Sequence, residues 1–194
     1  MKQYLQTHSR LVKIVLWLFA TGIIAGAATA FFYPELMEEI VASFDERFGE
    51  MPALDYNLAK EIFIQNLTVS IVAWLGALFL GLTPLFVVTV NGFILGYVVA
   101  YYLIYFGFTI QNSLFLAATL VPHGILELPA FLVAAVLGLR LGWGWLGIDA
   151  QGNRWGTFKL TIKETTMYFS FVVLALIAAA FIEVFISGQI VSNY

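Results

Sequence analysis

The chain has 194 residues, 61% of them hydrophobic and 11% charged, with a net charge of -3 and no cysteine. A soluble domain carries about 25% charged residues, and a mean hydropathy of +0.92 points instead to an integral membrane protein. Disulfides, thiolate metal sites and a basic nucleic-acid surface are excluded, and spanning helices leave little length for a soluble domain, so residues 1–194 read as a single integral membrane domain.

Residues 11–33 form a first candidate span, preceded by Lys2, Arg10 and Lys13. A cleaved signal peptide is the competing reading, because Ala28-Thr29-Ala30 resembles a cleavage site, but the apolar run is long for one. Residues 34–61 carry Glu35, Glu38, Glu39, Asp45 and Glu46, while Leu36, Ile40, Phe44 and Phe48 recur every four residues. That pattern predicts an amphipathic helix outside the bilayer, lying on the membrane or the bundle. A second span is predicted over 62–83, stopped by "GLTP", and a third over 85–106 with Asn91-Gly92 inside it. The fourth, 113–139, contains "VPHGILELP"; a loop with three tryptophans follows, and a final span over about 165–187 carries Glu183.

With the N-terminus inside, seven of the nine basic residues fall on the inner side. That bias predicts a multi-pass protein of the plasma membrane with a cytoplasmic N-terminus. The pairs Gly22/Gly26, Gly92/Gly96 and Gly138/Gly142 have the spacing that lets helix backbones approach closely. They would pack either within one chain or between chains, and a homo-oligomer, a dimer first, is among the partners expected besides lipid and other membrane proteins.

Asn91, His123, Glu127 and Glu183 are polar residues inside predicted spans, and Asn66 lies near the outer end of the second. At about 1.5 Å per residue, His123 falls about 12 Å below residue 115, where the fourth span is taken to enter the bilayer, and Glu127 about 6 Å deeper, near mid-bilayer. They are four residues apart, hence on one helical face, and Glu183 on the antiparallel last span is expected to join them in the outer half of the bundle. A charged carboxylate at the bilayer centre costs about 2.5–3.5 kcal/mol on insertion scales. Protonation, a hydrogen bond to histidine or asparagine, or a metal shared by Glu127 and His123 would offset that. Pro122 suits the first position of a helix, and the residue before it is biased away from helix, so the fourth span is expected to break near residue 121, with Gly124 and Pro129 as further hinge positions.

These residues admit a structural polar cluster, a site for zinc or another divalent metal, or an ion or proton pathway. Two ligands are too few for zinc, which takes three or four. No H-E-x-x-H motif, Ser-His-Asp arrangement or phosphate loop occurs, and His8 is too far from His123 to help. No catalytic residue is therefore assigned, and an intramembrane metal-dependent hydrolase is the least favoured reading. Ser70 and Ser113 read as packing or capping residues near membrane ends.

The stretches "FIQNLTVSIVAWLGALFLGLTPLFVVTVNGFILGYV" and "VPHGILELPAFLVAAVLGLRLG" together resemble the SpoIIM family, the stage II sporulation protein M-like or DUF95 proteins. Asn66, Asn91-Gly92 with Gly96, Pro122-His123-Gly124, Glu127, Pro129-Ala130 and Gly138/Gly142 carry the resemblance. It implies a bacterial or archaeal membrane protein of about five or more spans. The name-giving member is regarded as a membrane scaffold working with peptidoglycan-remodelling partners, a role that does not carry over to a chain without an extended soluble region. The expectation is an all-α polytopic membrane bundle of about five spans, the fourth interrupted, with an external amphipathic helix. Its expected role is that of a self-associating scaffold or assembly protein holding a His123/Glu127 site, with a small-solute or ion transporter or channel as the alternative.

Overall fold

The computed structural model describes residues 1–39, 42, 54–76, 82–111, 114, 123–148 and 153–187, with the side chains of His123, Ile186 and Ser187 outside that description. The helices are α1 (Lys2–Thr7), α2 (Ser9–Phe32), α3 (Tyr56–Leu75), α4 (Thr83–Phe106), α5 (Leu128–Leu146) and α6 (Arg154–Ile182). A π-helical turn, His123–Glu127, leads into α5, and a second, Glu183–Ser187, continues α6. No strand occurs among the described residues. Five stretches are long and apolar enough to cross a bilayer: Ser9–Phe32, Tyr56–Leu75, Thr83–Phe106, Gly124–Leu146 and Arg154–Phe185. The all-α polytopic bundle expected from composition is the fold observed.

Helix ends depart from the hydropathy reading where local chemistry overrides it. The second span starts at Tyr56, not residue 62, because the Asp55 carboxylate accepts the backbone N–H groups of Asn57 at 2.8 Å and Leu58 at 3.0 Å. Lys60 and Glu61 are thus helical, and the connecting segment is shorter than predicted. Its proposed amphipathic helix lies mostly outside the described residues, which show only a turn at 34–35 and a helical start at 36–39.

At the other face, α5 continues past Arg140 to Leu146, where Gly147 ends it with a φ of 75°. Asn153 caps α6 by accepting the Gly156 N–H at 2.9 Å, so the last span begins at Arg154 rather than near residue 165. The predicted tryptophan loop is therefore mostly two helix ends. They are tied by Arg154, whose Nε donates to the Trp145 carbonyl at 2.9 Å and whose guanidinium lies 5.3 Å from the centre of the Trp145 ring.

The span Arg154–Phe185 has 32 residues. That is about 48 Å of helix against a hydrocarbon core of about 30 Å. The last span is therefore longer than the hydrocarbon core is thick, and the tryptophan-bearing tip of the α5–α6 pair lies on the face that carries the N-terminus.

The fourth span is the centre of the bundle. Of its apolar window 56% is buried, against 22–33% in the other four, and α5 touches all of α2, α3, α4 and α6. The glycines explain how the outer helices close around it. Gly22 faces Thr89 and Phe93, Gly26 faces Phe93 and Tyr97, and Gly92 and Gly96 face Phe19 and Ile23 in return. The register rises together on both helices, so α2 and α4 run parallel, backbone against backbone. Gly138 faces the Ala73 carbonyl of α3 in the same way, and Gly142 is buried. The glycine pairs thus pack within the chain.

Tyr97 fastens the far end of the α2–α4 pair: its hydroxyl donates to the carbonyls of Tyr33 at 2.8 Å and Pro34 at 3.0 Å, just past the end of α2. Trp17, Ile24 and Phe86 point outward, at 69–72% exposure, onto what the bilayer would cover.

Candidate functional site: a polar cavity at mid-span

α3 places Asn66 ten residues from its start at Tyr56 and nine from its end at Leu75. That is about 15 Å from one end and about 14 Å from the other, hence near mid-bilayer. One turn on, Ser70 lies on the same face. Asn91 approaches from α4, and Glu127 from the last position of the π turn before α5. Together with Val69, Leu128, Phe131 and Leu176 they line a cavity of about 40 Å³. A water needs about 10–15 Å³ of such space and two to four polar partners, so this cavity suits a few waters or one small partly dehydrated ion.

Pro129 accounts for the turn that aims Glu127. It occupies the first turn of α5 and has no N–H to offer the carbonyl four residues back at Ile125, which its ring would also crowd. Widening the preceding turn to π geometry relieves both, as such turns do inside helices. Glu127 is left 3% exposed against α3 and α4. Gly124, in the same turn, has open space where a Cβ would project, so no close packing demands a glycine there. The predicted break near residue 121, and Pro122 with it, lie outside the described residues.

The polar groups differ in how they are held. The Asn91 amide N–H donates to the Val87 carbonyl at 2.8 Å, which leaves its amide oxygen for the cavity. Many helical hydroxyls of this chain donate back to carbonyls three or four residues earlier, as Thr68 does to Ile64 at 2.7 Å and Thr89 to Leu85 at 2.9 Å. Ser70 departs from that habit. It is 0% exposed and its Oγ has no hydrogen-bond partner among the described residues. Of the two readings of Ser70, packing or capping, its burial fits packing, and it lines the cavity as well. A lone serine in an apolar run carries no signal that separates the two.

Of the residues singled out in the sequence, Asn66, Asn91 and Glu127 come together. Glu183 opens the second π turn, half-buried, and is not among the lining residues. His123 shares the π turn with Glu127, and its ring lies outside the described side chains. Among the described residues no three His, Asp or Glu side chains cluster as metal ligands would. His8 lies at the N-terminal face, its ring centre 4.3 Å from that of Tyr4.

That face holds a second polar group the sequence reading passed over. Tyr4 on α1 is 4% exposed, with its ring centre 4.2 Å from that of Tyr168, inside an apolar cluster with Ala134, Leu137 and Phe169. Its hydroxyl has no hydrogen-bond partner among the described residues. Burial, and next the Glu164 carboxylate, push the phenol far above its ordinary range, against the pull of Arg140.

Five apolar spans with a polar cavity between them define a polytopic α-helical membrane protein. The family model described as Stage II sporulation protein M matches residues 15–188. The chain belongs to that family, SpoIIM, as its motifs suggested. The match leaves out α1 and the first turns of α2. Neither the curated proteins nor the solved structures contain a match to the chain.

Proposed function

We propose that the protein is a small-ion or proton pathway in the plasma membrane, with its N-terminus cytoplasmic, and that Asn66, Ser70, Asn91 and Glu127 form the station the ion or proton visits. One observation carries this reading: polar side chains from three separate helices line a cavity of water-holding size at mid-span, with a carboxylate in its wall. Intramembrane ionisable groups facing a hydrated cavity mark pathways for charge, and interrupted helices supply such stations in transporters. The orientation rests on the basic residues, seven of nine of which fall with the N-terminus.

Flux into liposomes is the test. Wild type should carry ion or proton current that Glu127→Gln lowers at least tenfold; equal flux in the two proteins would end the reading.

The self-association of the scaffold reading drew its sequence support from glycine pairs, of which Gly22, Gly26, Gly92, Gly96 and Gly138 meet other helices inside the chain. A divalent metal shared by His123 and Glu127 keeps one observation in its favour, the π turn they share. It predicts that purified wild type holds stoichiometric metal and His123→Ala does not. Equal metal in both would rule it out.

A further inference from the structure

We propose that the mid-span cavity is a binding site for a monovalent alkali cation of sodium size, held by oxygens of Asn66, Ser70, Asn91 and Glu127. This deepens the ion-pathway reading and rests on it. The argument is one of donor type, charge and volume.

The polar lining consists of one carboxylate, one hydroxyl and two carboxamides. Oxygen donors of these kinds suit hard cations, whereas zinc and copper favour imidazole nitrogen or thiolate sulfur. The Asn91 amide is oriented by its bond to the Val87 carbonyl so that its oxygen is the atom left for a ligand. Ser70 supplies the independent observation. Its hydroxyl is fully buried in the cavity wall and forgoes the backbone bond that Thr68 and Thr89 make, with no other partner among the described residues. A buried hydroxyl left so is costly unless something in the cavity engages it.

Charge then separates the hard cations. Among the described residues the lining carries a single carboxylate. A monovalent ion beside it makes a neutral site, which a bilayer core tolerates. Calcium or magnesium would leave a net positive charge at mid-membrane, where an uncompensated charge is expensive. Volume narrows it further: about 40 Å³ admits an ion that has shed most of its water, not a hydrated one. A proton alone would need only Glu127, and would leave unexplained why two amides and a hydroxyl from two other helices converge on it.

The experiment is binding of radioactive sodium to purified protein in lipid nanodiscs, with choline as the background cation. Wild type should bind about one sodium per chain, saturably, with no competition from calcium or zinc at equal concentration. Ser70→Ala should weaken binding about tenfold, Glu127→Gln should abolish it, and Thr68→Ala, which removes an exposed hydroxyl on the same helix, should leave it unchanged. Thermal unfolding with and without sodium covers a variant that folds poorly: sodium should raise the midpoint of wild type, raise that of Ser70→Ala less, and not move that of Glu127→Gln.

Sodium binding unaffected by Ser70→Ala and Glu127→Gln, or displaced by zinc or calcium, would overturn the proposal. So would a wild type that binds no sodium. If that sodium-blind protein still shows Glu127-dependent proton flux in liposomes, the alkali site falls while the pathway reading stands; without flux both fall.

Discussion

Placing a methyl group at Gly26 tests the packing that holds the cavity. A Cβ there would lie 2.8 Å from both the Phe93 carbonyl carbon and the Tyr97 nitrogen, and closer still to the Phe93 oxygen. Ordinary contact begins at 3.4 Å, so the carbon and nitrogen alone require the α2 and α4 backbones to part by 0.6 Å, and the nearer oxygen requires more. Neither neighbour is a side chain that can swing away. A gap of about 0.5–1 Å forfeits a quarter to a half of each dispersion contact along the seam, and overpacking of this kind costs about 1–3 kcal/mol. Alanine's better helix propensity returns about 1 kcal/mol. Gly26→Ala should thus destabilise by up to about 2 kcal/mol. Gly124→Ala, whose Cβ meets nothing within 4 Å, should be neutral or slightly stabilising. Adding Gly96→Ala to Gly26→Ala should cost less than the sum of the two, because the first substitution has already parted the same seam. Unfolding in detergent micelles, followed by circular dichroism, reads all four variants. If Gly26→Ala unfolds like wild type but loses a dimer seen by cross-linking, the glycine seam lies between chains and the packing described here is wrong.

Three further outcomes follow from other parts of the structure. Tyr4→Phe should match or exceed wild-type stability, because its buried hydroxyl has no hydrogen-bond partner among the described residues, whereas Tyr4→Ala should cost about 3–5 kcal/mol as an aromatic truncation; the same raised phenol predicts that wild type and Tyr4→Phe give the same ultraviolet titration near pH 10. The Leu58 backbone N–H leads the interactions that hold Asp55 below the usual carboxylate range. Its contribution is therefore complete above the unfolded carboxylate pKa of about 3.9 and lost as pH falls through the lower folded value, so Asp55→Ala should lower the unfolding midpoint at pH 7 but make little difference once Asp55 is protonated. Pro129→Ala restores the N–H that the π turn compensates for, so the turn should tighten and swing Glu127 out of the cavity, reducing sodium binding while the unfolding midpoint holds or rises; full binding would show that Pro129 does not aim Glu127.

Apolar length alone located the five spans, because a bilayer demands it of any crossing helix. Their ends were less legible. Asp55 fell in the charged segment read as an amphipathic helix but is an N-cap, and Trp143 and Trp145 looked like loop residues but belong to the last turn of α5. Hydropathy reports where lipid ends, not where hydrogen bonding does. In the site, Asn66, Asn91 and Glu127 stood out because an amide or carboxylate is anomalous in an apolar helix. Ser70 did not, since a serine there normally satisfies itself on its own backbone. Which glycine faced which helix was also beyond reach: spacing identifies a seam, and only the fold names the partner.

The claim on which the rest depends is that water and ions reach the space between Asn66, Ser70, Asn91 and Glu127. The chain has no cysteine of its own, so single cysteines can report on it directly. Ser70→Cys and the lipid-facing Ile24→Cys should be treated in chloride-free nanodiscs with silver ion, a bare thiol-reactive cation close to sodium in size, and followed by mass spectrometry. The account predicts that position 70 reacts, more slowly when sodium is present, and that position 24 does not. A cysteine at position 70 as inert as one at position 24 would contradict it.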